Sequence, residues 1–131
     1  MAYFGKEFTF DREENMEEFI NAIGATEGSA LDFLRYTPSQ VIEKDGDSYK
    51  LMLKGVNHEV VFKAGVPFTE VIRGTLESKT TITVEGDTFT EVQDFGSHGI
   101  LTSKREYSAD GLKVTYTCSK WCGVAYRYFK A

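Results

Sequence analysis

The sequence contains few of the residues that build covalent or metal-centred sites, with two cysteines and two histidines in 131 residues. Cys118 and Cys122 have three residues between them and no second Cys or His pair nearby, which is a poor match to a zinc site. We expect both to be free thiols in a reducing compartment. His58 and His98 lie in or beside predicted turns, which favours solvated side chains. We therefore expect no metal and no cofactor.

The chain also lacks an excess of positive charge and any long hydrophobic run. Its net charge of −5 argues against a nucleic-acid partner, which requires a basic face. No segment reaches the roughly 18 consecutive apolar residues of a membrane helix. The first residues resemble no signal peptide, and the glycine required for myristoylation is missing after Met1. We therefore expect a cytoplasmic protein.

Apolar and aromatic residues, by contrast, are abundant, at 41% and 14% of the chain. This composition is sufficient for a real core, and the length fits a single domain over residues 1–131. Met16, Phe19, Ile20 and Ile23 have helical spacing and predict one amphipathic helix. Asp11 and Glu14 have capping-box spacing ahead of it, and Gly24 follows its end. A second short helix is expected around Ser29 to Arg35, with Leu31 and Leu34 on its buried side, and Pro38 ends any helix before it.

From Ser39 onward the hydrophobic pattern changes to alternation, and turn signals recur about every ten to thirteen residues. Eight breaks predict nine strands after the helices, with one more at Tyr3 to Phe10. The breaks are Asp45-Gly46-Asp47, Lys54-Gly55, Ala64-Gly65, Arg73-Gly74, Glu85-Gly86-Asp87, Gly96-Ser97-His98-Gly99, Asp110-Gly111 and Ser119 to Gly123. Short hairpins without crossover helices indicate an all-β antiparallel barrel or sandwich. Several strands carry mixed polar and apolar faces, which favours a barrel too wide for its side chains to fill.

The chain resembles the intracellular fatty-acid-binding protein family over its whole length. The N-terminal signature of that family matches Lys6-Glu7-Phe8-Thr9-Phe10 and, after four residues, Asn15-Met16-Glu17-Glu18-Phe19-Ile20, ending at Ile23-Gly24. Met16 departs from the usual Phe or Tyr, and Phe8 stands where many members have Trp. The C-terminal run from Gly123 to Ala131 resembles insect midgut members. The resemblance implies a ten-stranded up-and-down barrel of two near-orthogonal sheets, with a helix-turn-helix lid after the first strand.

The resemblance also implies where an acid ligand would bind. Acid-binding members use an internal Arg-x-Tyr pair on the last strand and a second internal Arg two strands earlier. The matching positions are Arg127, with Phe129 in place of the tyrosine, and Arg105. A different register would instead turn Tyr126 and Tyr128 inward. Gln40 shares parity with Ile42 and is a further inward donor to a carboxylate.

Our predicted ligand-carboxylate set is therefore Arg127, Arg105, Gln40 and Tyr128, and the predicted cavity or portal set is Met16, Phe19, Ile20, Phe33 and Phe129. The helix-face members of the second set are either plain core or ligand contacts. A buried guanidinium is costly unless an anion meets it, and its planar fork suits a carboxylate.

The expected function is a non-catalytic carrier that holds a long-chain fatty acid, acid group inward and tail toward the helices. A carrier of a retinoid, sterol or bile acid is the alternative. An enzyme would need a titratable pair inside the barrel, and the sequence places none there. It also contains no nucleophile elbow, phosphate loop or dinucleotide fingerprint. The expected partner is the lipid alone, bound by a monomer that contacts membranes only transiently.

Overall fold

A computed structural model of the chain describes residues 3–22, 37–54, 58–72 and 76–131. Within these ranges it has ten strands and one α-helix, and a single 3₁₀ turn at Gly96–His98. In chain order the elements are β1 (Glu7–Glu14), α1 (Met16–Ala22), β2 (Ser39–Asp45), β3 (Ser48–Lys54), β4 (His58–Lys63), β5 (Phe68–Ile72), β6 (Leu76–Glu85), β7 (Thr88–Asp94), β8 (Ile100–Tyr107), β9 (Gly111–Cys118) and β10 (Trp121–Lys130).

The strands form one antiparallel sheet in the order β4-β3-β2-β1-β10-β9-β8-β7-β6-β5. Strand β1 connects the two halves of this sheet, because Glu7 and Phe8 pair with β2 while the later residues pair with β10. The pairing with β10 is interrupted at Asp11, where the register shifts. The sheet curls into a nearly closed barrel whose two end strands, β4 and β5, are consecutive in the chain. The prediction of a ten-stranded antiparallel barrel is confirmed. The predicted second helix, including Phe33, lies outside the described residues, as do Ile23 and Gly24.

The predicted limits of the first strand were wrong, and so was the helix cap. Tyr3 lies in a turn and stacks on the Tyr107 ring at a centroid distance of 4.7 Å, whereas β1 extends to Glu14. Asp11 therefore lies in the strand rather than at a helix start. The chain reverses instead at Asn15, whose φ is 59°, in the left-handed region that asparagine tolerates well. Its carbonyl accepts the first helical hydrogen bond, from the Phe19 amide at 3.1 Å.

Helix α1 lays its apolar face on the barrel, as its spacing predicted. Met16, Phe19 and Ile20 are buried, while Glu17 and Glu18 face solvent. The Phe19 ring lies 5.5 Å from that of Tyr116 and 5.8 Å from that of Trp121, measured between centroids. Ring contacts of this kind add to the free energy gained from burying the apolar area. The helix is only seven residues long, so this packing rather than helix propensity holds it.

Two tight hairpins follow from glycine. Gly46 lies between β2 and β3 with a φ of 63°, and Gly86 lies between β6 and β7 with a φ of 61°. Two-residue turns match the twist of the flanking strands when the chain enters the left-handed region, and glycine does so without strain. These turns fix the register of both strand pairs.

Strict alternation in β7, β8, β9 and β10 directs every second side chain into the barrel. On β9, for example, Leu112, Val114 and Tyr116 are buried and Lys113 faces outward. Part of the interior is filled by an aromatic cluster in which Tyr107 contacts Tyr3, Phe8 and Phe89. No helix in the described ranges has the length and hydropathy that a membrane crossing requires.

We predict that Phe19→Ala lowers the free energy of unfolding by about 3–5 kcal/mol, because a buried ring is replaced by a cavity. It should also change the fluorescence emission of Trp121, the only tryptophan. Urea unfolding followed by this emission measures both effects. Glu18→Ala, on the exposed face of the same helix, is the control and should stay within about 0.5 kcal/mol of wild type. Unchanged stability of Phe19→Ala would show that α1 does not depend on this contact.

Candidate functional site

The barrel interior holds many polar side chains. Among the residues that the structure describes, the buried ones are Gln40, Glu70, Ser78, Thr80, Glu91, Gln93, Ser103, Arg105 and Arg127. Buried polar groups are rare in a dry core and require hydrogen-bond or charge partners. The polar interior is the feature from which a binding site can be built.

Two arginines lie on one rung of the barrel. Arg105 on β8 pairs with Val114 on β9, Val114 pairs with Arg127 on β10, and Arg127 pairs with Glu13 on β1. Neighbouring strands are about 4.8 Å apart, so the two arginine backbones are separated by roughly 10 Å. Alternation directs both side chains to the same face as Val114. The two positions that the family resemblance selected are therefore brought together.

Arg105 is held by a carboxylate from its own chain. Its Nη1 donates to Glu91 Oε1 at 2.8 Å, and its Nε donates to Gln40 Oε1 at 3.4 Å. The Arg105 side chain is 10% exposed and that of Glu91 is 6% exposed, so the ion pair is almost fully removed from water. Burial would lower the pKa of Arg105, but the Glu91 carboxylate outweighs this and raises it. The guanidinium therefore stays charged.

Glu91 is the group in this pair whose proton can exchange. Burial raises its pKa, the adjacent Arg105 lowers it, and the neighbouring Glu70 carboxylate raises it again. The result is a pKa above the ordinary value, because desolvation and a second carboxylate outweigh one cation. Glu91 was missed at the sequence level. Alternation along β7 could have found it, since Phe89, Glu91 and Gln93 share a face.

Arg127 also has a carboxylate partner. Its Nε lies 3.2 Å from Glu13 Oε1, and its guanidinium carbon lies 5.9 Å from the centre of the Tyr116 ring. The Arg127 side chain is 7% exposed and that of Glu13 is 37% exposed. This pair is therefore in contact with solvent, whereas the Arg105–Glu91 pair is almost fully buried. The more hydrated Arg127–Glu13 pair is the easier of the two to separate.

The register of β10 places Phe129 and Arg127 on the buried face and Tyr128 on the other. Tyr128 stacks on Tyr126 at 6.2 Å and lies under the guanidinium of Arg12 at 3.8 Å. Its predicted contact with a ligand carboxylate is therefore corrected, because adjacent strand residues point to opposite faces. The Phe129 ring packs edge-on against Phe10, with 6.0 Å between centroids.

A second ionisable pair lies where β4 meets β5. His58 Nε2 lies 2.9 Å from Glu70 Oε2, and Glu70 Oε1 accepts hydrogen bonds from Thr80 at 2.9 Å and Gln93 at 3.0 Å. Burial would raise the pKa of Glu70, but these hydrogen bonds lower it below the ordinary value. The prediction of a solvated His58 was wrong, as was the statement that no titratable pair lies inside. The contact joins strands that are not hydrogen-bonded neighbours, so no local pattern signals it.

Tyr107 supplies one more polar group. Its hydroxyl is the one buried side-chain polar atom that has no hydrogen-bond partner within the described ranges. Burial raises the pKa of Tyr107 to about 12, so the group is a neutral donor at physiological pH. Across those same ranges, no cluster of three or more His, Cys, Asp or Glu side chains could hold a metal ion.

We predict that Arg105→Met lowers the free energy of unfolding by about 3–5 kcal/mol at pH 8, because it leaves Glu91 as an uncompensated buried charge. Adding Glu91→Gln should restore at least about 1 kcal/mol by removing that charge. Urea denaturation of the single and double variants measures the recovery. Glu106→Gln, one residue away on the outer face, changes the net charge equally and should restore nothing. Equal recovery from both additions would contradict a specific ion pair.

The lowered pKa of Glu70 predicts a pH dependence of stability. Its ionised form stabilises the fold above the ordinary value of 4.5, and this contribution is lost as the pH falls through the folded pKa. The stability difference between wild type and Glu70→Gln should therefore be greatest near neutrality and shrink below pH 4.5. Urea unfolding at pH 7 and at pH 3.5 tests this. Glu77→Gln, exposed on β6, is the control, and a difference that grows with acidity would refute the assignment.

No family model matches the chain. It is 47% identical to fatty acid-binding protein 1 of Manduca sexta and 38% identical to fatty acid-binding protein 2 of that species, with each alignment covering 100% of both chains. The crystal structure of a fatty-acid-binding protein from Manduca sexta superposes with a TM-score of 0.87 at 37% identity, over 98% of this chain and 99% of that one. The chain belongs to the fatty-acid-binding protein family.

Proposed function

We propose that this protein is a non-catalytic carrier that holds one long-chain fatty acid inside its barrel. The carboxylate contacts Arg127 and Arg105, with Gln40 beside them, and the acyl chain extends toward α1. Two of the relatives described above are named for fatty-acid binding, and they align with the chain from end to end. That similarity supports the ligand class.

The observation that carries the proposal is the pair of buried arginines on one rung. A folded protein has no structural need for two guanidinium groups in its interior, since apolar residues of similar volume are often as stable or more so. A planar cation with several donors is suited to a carboxylate, with which it forms short, charge-assisted hydrogen bonds. The two arginines therefore support recognition of an acid head group.

The acyl chain supplies most of the affinity. Burying a methylene group is worth about 0.8 kcal/mol, so a sixteen-carbon chain offers on the order of 11 kcal/mol of transfer free energy. Immobilisation of the chain and loss of overall freedom offset a good part of this. Met16, Phe19 and Ile20 on α1 and Phe129 on β10 contribute apolar surface along the proposed path. The head group then sets orientation and ligand choice.

The interior polar groups support binding rather than catalysis. Covalent catalysis requires a nucleophile activated by an adjacent base. The Thr80 hydroxyl instead donates to Glu70, which also lies beside His58 and Gln93. This arrangement satisfies a buried carboxylate. A cytoplasmic location, a monomeric state and transient membrane contact stay predictions from the sequence.

We predict that Arg127→Gln weakens oleate binding by about tenfold to a hundredfold, the effect of losing a hydrogen bond to a charged group. The loss of binding free energy should exceed the loss of unfolding free energy. Fluorescence titration and urea denaturation give the two values. Arg12→Gln is the matched control, because Arg12 lies on the outer face over Tyr128. Equal affinity of Arg127→Gln and wild type would remove Arg127 from the site.

The same titration separates ligand classes. Oleate should displace the fluorescent fatty acid at lower concentration than retinoic acid, because a flexible chain can follow an irregular apolar path. Stronger competition by retinoic acid would favour a retinoid carrier in the same barrel. Failure of both to displace the probe would overturn the proposed ligand class.

A further inference from the structure

We propose that Glu91 makes fatty-acid uptake proton-linked: the ligand carboxylate takes the place of Glu91 on Arg105, and Glu91 binds a proton from solvent. This inference rests on the proposed function and concerns the same site. The choice of ligand head group would then depend on Glu91, the carboxylate that the ligand must replace, as well as on the arginines that the ligand contacts.

The geometry that supports this inference is that Arg105 already has two acceptors from its own chain. Glu91 Oε1 already accepts from its Nη1 at 2.8 Å, and Gln40 Oε1 lies 3.4 Å from its Nε. Glu91 occupies the Nη1 donor that faces it, so a ligand carboxylate that uses this donor must compete with Glu91. Glu91 is almost fully buried and cannot turn to bulk water when it is displaced.

The charges around Glu91 show why a proton is needed. Arg105 on β8 faces it, together with Glu70 on β5 and His58 on β4, while Tyr107 and Tyr116 face Arg105 from β8 and β9. Without ligand, one cation and one carboxylate balance each other at Arg105. A second carboxylate brought to the same guanidinium leaves one excess negative charge in a buried space, and two close carboxylates do not both stay ionised there.

The balance is one proton for each ligand. An ionised fatty acid, ionised Glu91 and one proton from solvent become a fatty-acid carboxylate on Arg105 and a neutral Glu91, which can donate its new O–H to that carboxylate. No covalent bond forms or breaks. The upward direction of the Glu91 pKa is consistent with this site accepting the proton.

Proton uptake can be measured on the wild-type protein alone. Dodecanoate, below the concentration at which it forms micelles, is titrated by calorimetry in buffers that differ in ionisation enthalpy, from pH 6 to pH 9. We expect uptake that rises toward one proton per ligand at the upper end of this range. Binding with no uptake anywhere in the range would overturn the inference, whether or not any variant folds.

The variant Glu91→Gln then assigns the proton to its residue. Once the pH exceeds the pKa of Glu91, the wild-type Kd for dodecanoate should rise by about tenfold per pH unit, and that of Glu91→Gln by less than about twofold. Glu91→Gln should also bind dodecanoate more tightly than wild type at pH 9, because Arg105 has lost its competing carboxylate. Glu106→Gln, with the same charge change on the outer face, should behave as wild type.

Dodecanol is the neutral-head-group control. Its hydroxyl brings no charge to Arg105, so its Kd should not change with pH in wild type or in either variant. Equal pH dependence for dodecanol and dodecanoate would overturn the inference, since the proton would then follow occupancy of the barrel rather than the acid group.

Failure of the inference and failure of the proposed function give different results. Wild type and Glu91→Gln that both bind dodecanoate with the same proton uptake would remove Glu91 from the mechanism and leave the carrier function intact. Folded wild type and variant that bind neither dodecanoate nor dodecanol at any pH would instead overturn the carrier function itself.

Discussion

The interior of this barrel depends on a charged side chain that has been taken out of water. A buried guanidinium is tolerated only with an opposite charge in contact and its donors satisfied. Arg105 has its opposite charge in Glu91, which comes from the neighbouring strand β7, and a further acceptor in Gln40, 65 positions away in the chain. The contact with Gln40 connects β2 to β8 across the interior. The ion pair therefore balances the site electrostatically and also links two distant parts of the sheet.

The barrel also contains a second buried carboxylate, and the two are coupled. Glu70 lies where β4 and β5 approach each other without a backbone ladder, and the side chain of His58 makes the connection there. The negative charge of Glu70 raises the pKa of Glu91, although the pKa of Glu70 itself is lowered by three hydrogen-bonding partners. One carboxylate is thus held ionised and pushes the other toward its neutral form. Two buried glutamates of one barrel differ in proton affinity because their partners differ.

The sequence was sufficient for the architecture and for part of the site. Turn glycines such as Gly46 and Gly86 mark the ends of strands, and alternation placed Gln40 on an inward face, whereas Arg105 was selected by the family resemblance. Prediction from the sequence failed where strand pairing in the folded barrel overrides a local secondary-structure preference. Asp11 and Glu14 have helix-cap spacing, yet both lie in β1, because Glu14 and the residues on either side of Asp11 pair with β10. Tyr128 could not be placed by spacing, because alternation allows two registers for β10 and only the pairing with β9 and β1 selects one.

The contact between His58 and Glu70 is another feature that could not be predicted from the sequence. It depends on how far the sheet curls before its end strands meet, which is a property of the whole barrel and not of either segment. The partners of the two arginines are a related case. The family resemblance selected the two arginines, but it did not point to Glu91 and Glu13, whose contacts with those arginines are seen only in the structure. In the proposed mode of binding, the choice of head group therefore depends on Glu91 as well as on the arginines. In the proposed exchange, a ligand carboxylate gains at Arg105 only the difference between its own interaction and the one that Glu91 gives up, and that difference is smaller than the full strength of an arginine–carboxylate pair.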